Sequence, residues 1–172
     1  NPAKGYAPLE LTPDLVRDIH MNGGTMLGSS RGGTDNMNIL MDTLEKLKIN
    51  ILYTIGGDGT LKGAHEIARL AEERKLDLAV VGVPKTIDND VSFIQRSFGF
   101  ETAFSQAVHA IVTAHVEAKG APNCIGLVKL MGRHSGFIAA NATLAMNDVN
   151  FVLVPEVPFE LDGENGLLKH LE

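Results

Sequence analysis

Five short apolar runs, separated by stretches of helical periodicity, are the feature of this sequence that most constrains its fold. The runs at 25–28, 50–55, 78–83, 124–131 and 151–154 are each predicted to form a strand. Strands that alternate with helices predict an α/β fold, here a three-layer, Rossmann-like, mostly parallel sheet with helices on both faces. The helical stretches carry apolar residues at Leu40, Leu44 and Leu47, at Leu61, Ala64, Ala68 and Ala71, at Ala103, Ala107, Ile111 and Ala114, and over 137–146.

Local signals add detail to this outline. The continuous apolar run 78–83 stops at Pro84 and is typical of a parallel strand buried on both faces. Helix starts are predicted at Thr12-Pro13, where a capping hydroxyl precedes a proline, at Asp35, and near Asp162. With 172 residues and no repeat or proline-rich linker, the chain is predicted to be a single domain over 1–172.

The charge and cysteine content narrow the classes of partner and compartment. A net charge of −6 without any run of Lys or Arg argues against a nucleic-acid partner. An anionic ligand would therefore depend on a few local donors, on helix N-termini or on a metal ion. Cys124 is the sole cysteine, so a reducing cytoplasmic compartment is expected, and no apolar run reaches the roughly 18 residues that a membrane span needs.

Polar loops follow the predicted strands at the edge of the sheet where ligands bind. Parallel strands end at one common edge, and ligands of such sheets lie beyond it. Because five independent loops reach that edge, we predict an active site there. The loops are 29–33, 56–60, 85–90 and 132–135, together with Glu156 after the last run.

The loop Gly56-Gly57-Asp58-Gly59-Thr60 stands between a predicted strand and a predicted helix. Its glycines allow the backbone to approach a polyphosphate, and the helix that follows offers N–H donors at its positive end. Asp58 is a candidate magnesium ligand, directly or through water. The alternative interpretation is a tight turn with Asp58 as a helix cap, although a turn alone does not need three glycines around one acid.

The segment from Lys85 to Asp90, with the sequence KTIDND, packs two carboxylates, a hydroxyl, an amide and a cation into six residues. Phosphoryl transfer to an alcohol needs a base for the hydroxyl proton, together with positioning and charge. Asp88 is the candidate base. The alternative interpretation is a solvated turn, because Asn and Asp favour turns.

Three further side chains are candidates at the same edge. Arg133 offers a planar fork suited to phosphate oxygens, and Arg31 in its Ser/Gly-rich loop could pair with phosphate or stack on a base. Glu156 can accept hydrogen bonds from sugar hydroxyls. The alternatives are a surface ion pair for Arg133 and simple exposure for Glu156.

Together these loops resemble those of phosphofructokinases. The GGDGT loop alone is shared in form with NAD kinases and diacylglycerol kinases, whereas PKTIDND at 84–90 and KLMGRHSGFIA at 129–139 are much narrower signatures. The resemblance runs from about Gly23 to Glu172. It is closest to the plant and protist type of ATP-dependent enzyme.

The resemblance implies a role for each matched residue. Asp88 would be the base that takes the proton from the 1-hydroxyl of fructose 6-phosphate, with Thr86, Asp90 and Arg133 as its catalytic neighbours. Asp58 would hold Mg²⁺. The implied nucleotide contacts are Arg31, Gly32, Gly57, Asp58, Gly59 and Thr60, and the implied sugar-phosphate contacts are Thr86, Ile87, Asp88, Met131, Gly132, Arg133 and Glu156.

The phosphoryl donor depends on two positions. In this family a glycine at the position of Gly59 goes with ATP, because a carboxylate there would repel or block the α-phosphate of a nucleotide. Lys85 occurs in pyrophosphate enzymes and also in the plant and protist ATP type. The resemblance therefore favours ATP, with pyrophosphate as the alternative donor.

The resemblance also implies that this chain lacks two parts of the family's enzymes, an N-terminal Gly-rich loop and a C-terminal substrate-side domain. We therefore expect the isolated chain to be inactive and the full-length enzyme to be a cytoplasmic homo-oligomer, with glycosome or plastid as alternatives if a targeting segment was lost. Two other classes stay open: a diacylglycerol-kinase-like or NAD-kinase-like phosphotransferase, and a non-catalytic nucleotide-binding module.

Overall fold

The computed structural model describes residues 8–29 and 36–171, and the chain divides into the units Asn1–Met37 and Asn38–Glu172. In the first unit, helix α1 (Pro13–Val16) is followed by a 3₁₀ turn over Ile19–Met21. The Thr12 side chain accepts a hydrogen bond from the Leu15 N–H at 3.3 Å, as the predicted helix start requires.

Two other predictions fall near this unit. Residues 25–28 were predicted to be a strand, and that prediction is wrong, since the Gly28 N–H closes a turn onto the Thr25 carbonyl at 3.2 Å. Gly28 has a φ of 69°, which favours glycine and ends extended structure. The predicted cap at Asp35 lies outside the described residues.

Helices and strands alternate from Met37 to Thr86, and the remaining elements are one short strand and three helices. The elements are α2 (Met37–Lys46), β1 (Ile51–Gly56), α3 (Asp58–Glu73), β2 (Ala79–Thr86), β3 (Phe98–Gly99), α4 (Phe100–Lys119), α5 (Phe137–Ala145) and α6 (Leu167–Leu171).

The strands of the described residues form a parallel sheet in the order β1-β2-β3. β1 pairs with β2 from Ile51↔Ala79 to Gly56↔Pro84, and β2 pairs with β3 at Lys85↔Phe98 and Thr86↔Gly99. This confirms the predicted α/β class with a parallel sheet. It also brings the carboxyl ends of β1 and β2 to the same edge.

Helix α3 packs against β1 and β2 through Ala64, Ile67 and Ala71, which are buried. The predicted stripe contained Ala68 instead of Ile67, and Ala68 is exposed. Residues 64, 67 and 71 lie on one face of the helix, and the larger isoleucine removes more apolar surface from water than an alanine does.

Strand β2 differs from the prediction in length and in burial. It continues through Pro84 to Thr86, and each of its residues is exposed or half-buried rather than buried on both faces. Pro84 lies where pairing with β1 ends and pairing with β3 begins, a position that tolerates a missing N–H. The sheet face that carries Ile51, Tyr53 and Ile55 of β1 is exposed. The sheet is therefore not buried on both faces, although the continuous apolar run of β2 suggests such burial.

A separate core joins helices α4 and α5. It contains Phe100, Ala107, Ile111, Ile138 and Ala142, with the Phe100 ring edge-on to that of Phe104 at 5.2 Å between centroids. Both helices were predicted. The side chains of Ile87 and Leu130 pack against this core and thereby anchor two of the polar loops.

The last part of the chain contains three wrong predictions. Residues 124–131 and 151–154 form no strand, and Leu127 is 88% exposed. An apolar run becomes a strand only if another strand lies beside it, and no described strand does so here. The final helix begins at Leu167 rather than near Asp162, because Gly163, with a φ of 100°, forms a turn before it.

Among residues 8–29 and 36–171, no helix is both long and apolar enough to cross a bilayer.

Ile138→Ala should lower the free energy of unfolding by about 2–5 kcal/mol, since it leaves a cavity in the α4–α5 core. Leu144→Ala is a matched control in the same helix, because Ile138 is 2% exposed and Leu144 is 85% exposed. The control should stay within about 0.5 kcal/mol of the wild type. Urea unfolding measures both, and equal losses would place Ile138 outside the core.

Candidate active site

The first loop of the site connects β1 to α3. Gly57 is the N-cap of α3, and Asp58 is its first residue. A Cβ on Gly56 would collide with the Thr60 side chain, and a Cβ on Gly57 would lie 3.5 Å from the Thr86 Cβ. The glycines therefore let this loop close on itself and lie against the end of β2.

The N-terminus of α3 has free donors at this loop. The N–H groups of Thr60 and Leu61 donate to the Gly57 carbonyl at 2.9 and 3.1 Å. No backbone acceptor is described for the N–H groups of Asp58 and Gly59. Such free N–H groups at the positive end of a 16-residue helix favour an anion such as phosphate.

Asp58 is paired with Lys62, a residue that the sequence analysis did not single out. The Lys62 Nζ donates to the Asp58 Oδ2 at 2.7 Å, with more than half of each side chain exposed. This hydrogen bond and the charge of Asp58 raise the pKa of Lys62, and the charge of Asp90 raises it further. The i,i+4 spacing of Asp58 and Lys62 is the signal that could have found the lysine.

The acidic loop holds an unusual carboxylate. The Asp88 N–H donates to the Thr86 Oγ1 at 3.1 Å. The Asp88 Oδ1 is buried and has no hydrogen-bond partner among the described residues. Most buried polar atoms are hydrogen-bonded, and an exception often marks a catalytic group.

The same loop is closed by Asn89. Its Oδ1 accepts the Ser97 N–H at 2.8 Å, and its Nδ2 donates to the Gln95 carbonyl at 3.1 Å. Asn89 has a φ of 54°, which asparagine adopts more readily than most residues. Since the Ile87 side chain packs against the core, its main chain is the part that can reach a ligand.

The turn after residue 131 lies directly against the acidic loop. The Ser135 Oγ donates to the Asp88 carbonyl at 2.6 Å. Gly132 has a φ of 109°, and a Cβ there would collide with the Ser135 carbonyl, so only glycine fits this turn. Met131, predicted as a sugar-phosphate contact, is 72% exposed beside it.

Arg133 is exposed in this turn and forms no ion pair with any described residue. The other arginines of the described ranges each pair with a carboxylate. They are Arg17, Arg69, Arg74 and Arg96. The surface ion-pair interpretation of Arg133 therefore finds no partner, and its guanidinium is available for an anion.

Glu156 caps helix α5. Its two carboxylate oxygens accept the Gly136 N–H at 2.8 and 3.1 Å. A Cβ on Gly136 would collide with Val154, so this approach also depends on a glycine. The carboxylate keeps lone pairs that can accept further hydrogen bonds.

Four of the five predicted loops are thus in contact. Gly57 lies against the Thr86 side chain, and the Asp88 carbonyl accepts a hydrogen bond from the Ser135 hydroxyl. The next residue, Gly136, donates its N–H to the Glu156 carboxylate. Arg31 and Gly32, predicted as nucleotide contacts, lie outside the described residues.

The carboxylate groups at the carboxyl-end edge of the sheet fit a magnesium ion whose remaining ligands come from a substrate and from water. No group of three potential metal ligands occurs among the described residues. Mg²⁺ is commonly held by one or two carboxylates, with substrate phosphates and water completing the shell. The exposed Asp58 carboxylate at a helix start suits that mode.

The fold and the carboxyl-end edge of the sheet define a class of protein. It is an α/β protein in which a glycine-rich loop, a helix N-terminus and an acidic loop lie side by side. The family model described as Phosphofructokinase matches residues 3–172. The chain therefore belongs to the phosphofructokinase family.

Individual relatives agree with this assignment. The chain is 58% identical over 164 residues to the ATP-dependent 6-phosphofructokinase of Borreliella burgdorferi, covering 95% of this chain and 36% of the relative. It is 52% identical over 170 residues to ATP-dependent 6-phosphofructokinase 7 of Arabidopsis thaliana, covering 99% and 34%. The chain thus spans about a third of the length of these relatives.

A solved structure is also similar. The crystal structure of the pyrophosphate-dependent phosphofructokinase from Marinobacter aquaeolei matches with a TM-score of 0.67 and 25% identity. The match covers 87% of this chain and 40% of that one.

Lys62→Met should strengthen Mg²⁺ binding, because Lys62 competes with the metal for the Asp58 carboxylate. The dissociation constant should fall by up to about fivefold, the upper range for an exposed pair. Magnetic-resonance titration of the backbone amides of residues 57–62 with Mg²⁺ measures it. Lys46→Met, at the end of α2, removes a similar charge elsewhere and should change nothing; unchanged or weaker binding in Lys62→Met would contradict the competition.

Proposed function

We propose that this chain is the phosphoryl-transfer part of an ATP-dependent 6-phosphofructokinase. The reaction transfers the γ-phosphoryl group of ATP to the 1-hydroxyl of fructose 6-phosphate and gives fructose 1,6-bisphosphate and ADP. The observation that carries the proposal is the buried Asp88 Oδ1, which has no hydrogen-bond partner among the described residues. Its loop contacts both the glycine-rich loop, at Gly57, and the turn at Ser135. The names of the relatives from Borreliella burgdorferi and Arabidopsis thaliana support the same activity.

Asp88 acts as the general base. It accepts the proton of the 1-hydroxyl while the hydroxyl oxygen bonds to the γ-phosphorus and the bond from that phosphorus to the ADP oxygen breaks. A carboxylate oxygen without a protein donor is free to accept that proton. Its partial burial removes competing water, which strengthens the interaction with the substrate hydroxyl.

Phosphoryl transfer depends mainly on positioning and on stabilising negative charge. The Thr86 Oγ1 accepts the Asp88 N–H, so its own proton is free to donate to a phosphoryl oxygen. The free N–H groups at the start of α3 bind the nucleotide phosphates. Arg133, which has no carboxylate partner in the described ranges, binds the sugar phosphate or the transferring group.

The Asp58 carboxylate would hold Mg²⁺, and the charge of Asp90 acts on Lys62, the partner of Asp58. Lys62 occupies the Asp58 carboxylate when no metal is bound. A bound magnesium ion would supply neutralisation of the phosphate charge. The N–H groups at the start of α3 would then orient the nucleotide so that its γ-phosphorus faces the Asp88 carboxylate.

The donor proposal depends on Gly59. A Cβ at Gly59 would meet no atom within 4 Å, so the space beside it is open and can admit a nucleotide. Lys85 does not distinguish the donors. Pyrophosphate therefore stays the second candidate, and a direct assay of both donors decides between them.

Three other expectations stay predictions that belong to this proposal. The full-length enzyme is a homo-oligomer, it works in the cytoplasm, and the 172-residue chain alone has little turnover.

Asp88→Asn in the full-length protein should lower kcat by roughly 10²–10⁴-fold, the usual contribution of a general base. The KM for fructose 6-phosphate should change little, since the side chain keeps its size. Steady-state assays with ATP measure both constants.

The matched control is Asp77→Asn. Asp77 is exposed before the start of β2, whereas Asp88 follows its carboxyl end, so the same chemical change is made at the opposite edge of the sheet. The control should keep normal activity. Near-normal turnover in Asp88→Asn would exclude Asp88 as the base.

Gly59→Asp should weaken the use of ATP, because its carboxylate would repel or block the α-phosphate. The open space around Gly59 predicts that the fold tolerates the change. The kcat/KM for ATP should fall by about tenfold or more, and Gly59→Asn, equal in size but uncharged, separates charge from bulk. Assays with ATP and with pyrophosphate measure the effect, and unchanged ATP use in Gly59→Asp would contradict the donor argument.

A further inference from the structure

Two serines are the buried polar side chains of the described residues: Ser97, outside the predicted loops, and Ser135, at the end of the predicted loop 132–135. Ser97 is 5% exposed and Ser135 is 4% exposed. Buried hydroxyls are retained where they satisfy a specific partner, because an unpaired one destabilises the fold. The partners of these two hydroxyls are therefore informative.

Both hydroxyls donate to main-chain carbonyls of the acidic loop. The Ser97 Oγ lies 2.7 Å from the Thr86 carbonyl oxygen, and the Ser135 Oγ lies 2.6 Å from the Asp88 carbonyl oxygen. Ile87 lies between these carbonyls, and its side chain packs against the α4–α5 core. The main chain is thus fixed before, at and after Ile87.

The direction of the Asp88 side chain depends on this main chain. Its Oδ1 makes no hydrogen bond with described residues, so no direct contact of that oxygen holds the carboxylate toward a substrate. The Cα–Cβ bond follows the orientation of the peptide planes on each side. The Ser135 bond fixes the plane after Asp88, and the bond from the Asp88 N–H to the Thr86 Oγ1 fixes the plane before it. The Ser97 bond fixes the preceding plane, between Thr86 and Ile87.

The two serines come from different parts of the core. Ser97 precedes β3 and the start of α4, while Ser135 precedes α5. Helices α4 and α5 pack together through Ala107, Ile111 and Ile138. The position of the acidic loop is therefore set by the packing of these helices and transmitted by two short hydrogen bonds.

We propose that Ser97 and Ser135 are positioning residues that aim the Asp88 carboxylate through the carbonyls of Thr86 and Asp88. The inference rests on the proposed function for its catalytic consequence. Neither serine touches the reacting atoms. Each acts through the geometry of Asp88.

The first test is a double-mutant cycle in the full-length enzyme. Ser97→Ala and Ser135→Ala should each lower kcat by about tenfold, since a small misplacement of a catalytic group has effects of that order or larger. The KM values for fructose 6-phosphate and ATP should stay within about twofold if binding is untouched. In the Asp88→Asn background, each serine substitution should lower kcat by less than about twofold, because the group it positions is already gone.

Control variants separate positioning from general damage. Thr113→Ala removes another hydroxyl-to-carbonyl bond, from the Thr113 Oγ1 to the His109 carbonyl at 2.9 Å, on an exposed part of α4. It should leave kcat unchanged. Ser97→Thr keeps the hydroxyl and should retain kcat within about threefold. If Ser135→Ala unfolds the protein, Ser135→Cys keeps a similar shape with a weaker donor and takes its place.

Amide hydrogen exchange of this chain gives a readout that does not depend on activity. The Asp88 N–H is bonded to Thr86 and the Ser97 N–H to Asn89, so both report on closure of the loop. Removing either serine hydroxyl should speed exchange at Asp88 by about tenfold or more, while amides inside α3 keep their rates.

The outcomes are distinguishable. A wild-type enzyme that is inactive with both donors would overturn the proposed function, and the exchange rates would still decide whether the serines hold the loop. An active wild type with equal kcat in the serine variants would overturn the positioning role. So would serine effects that are fully additive with Asp88→Asn, or unchanged exchange at Asp88.

Discussion

The parallel pairing of β1 with β2 is the constraint on which the rest of the candidate site depends. Its register ends at Gly56↔Pro84, so the glycine-rich loop and the acidic loop leave the sheet at the same level. Gly57 consequently lies against Thr86, with no side chain between them. A slip of one residue would move the side chains of β2 to the opposite face and separate the donors of α3 from Asp88.

The proposed reaction needs this edge to hold anions, although the 172 residues carry a net charge of −6. The net charge of the chain does not attract phosphate, so binding would depend on local groups. The start of α3, Lys62 and Arg133 would provide them, and Arg133 pairs with no carboxylate within residues 8–29 and 36–171. The acids Asp58 and Asp90 oppose them, and a divalent cation would reverse that local balance. A proposed phosphate site can therefore contain acids without repelling its ligand.

The sequence predicted the tight loops, because these depend on local turn chemistry. Gly57 and Gly132 occupy positions that admit close backbone approach, and such positions are readable from glycine-rich loops beside a strand run. Prediction from the sequence failed where the outcome depends on a distant partner. The apolar runs 124–131 and 151–154 indicate strand propensity but do not specify a neighbouring strand. The positioning role of Ser97 and Ser135 could not be predicted from the sequence, although Ser135 ends the predicted loop 132–135. A serine becomes informative only when its burial and its carbonyl partner are known.

The contacts of the turn before α5 have a consequence for sugar recognition. Ser135 is bonded to the Asp88 carbonyl, and the adjacent Gly136 N–H is bonded to Glu156. One peptide unit therefore fixes the distance between the proposed base and the proposed acceptor of sugar hydroxyls. In the proposed reaction, a sugar phosphate that engages Glu156 would therefore meet Asp88 in a defined position. Since preorganised geometry lowers the entropic barrier to reaction, such a link would favour the hydroxyl that the proposed base faces.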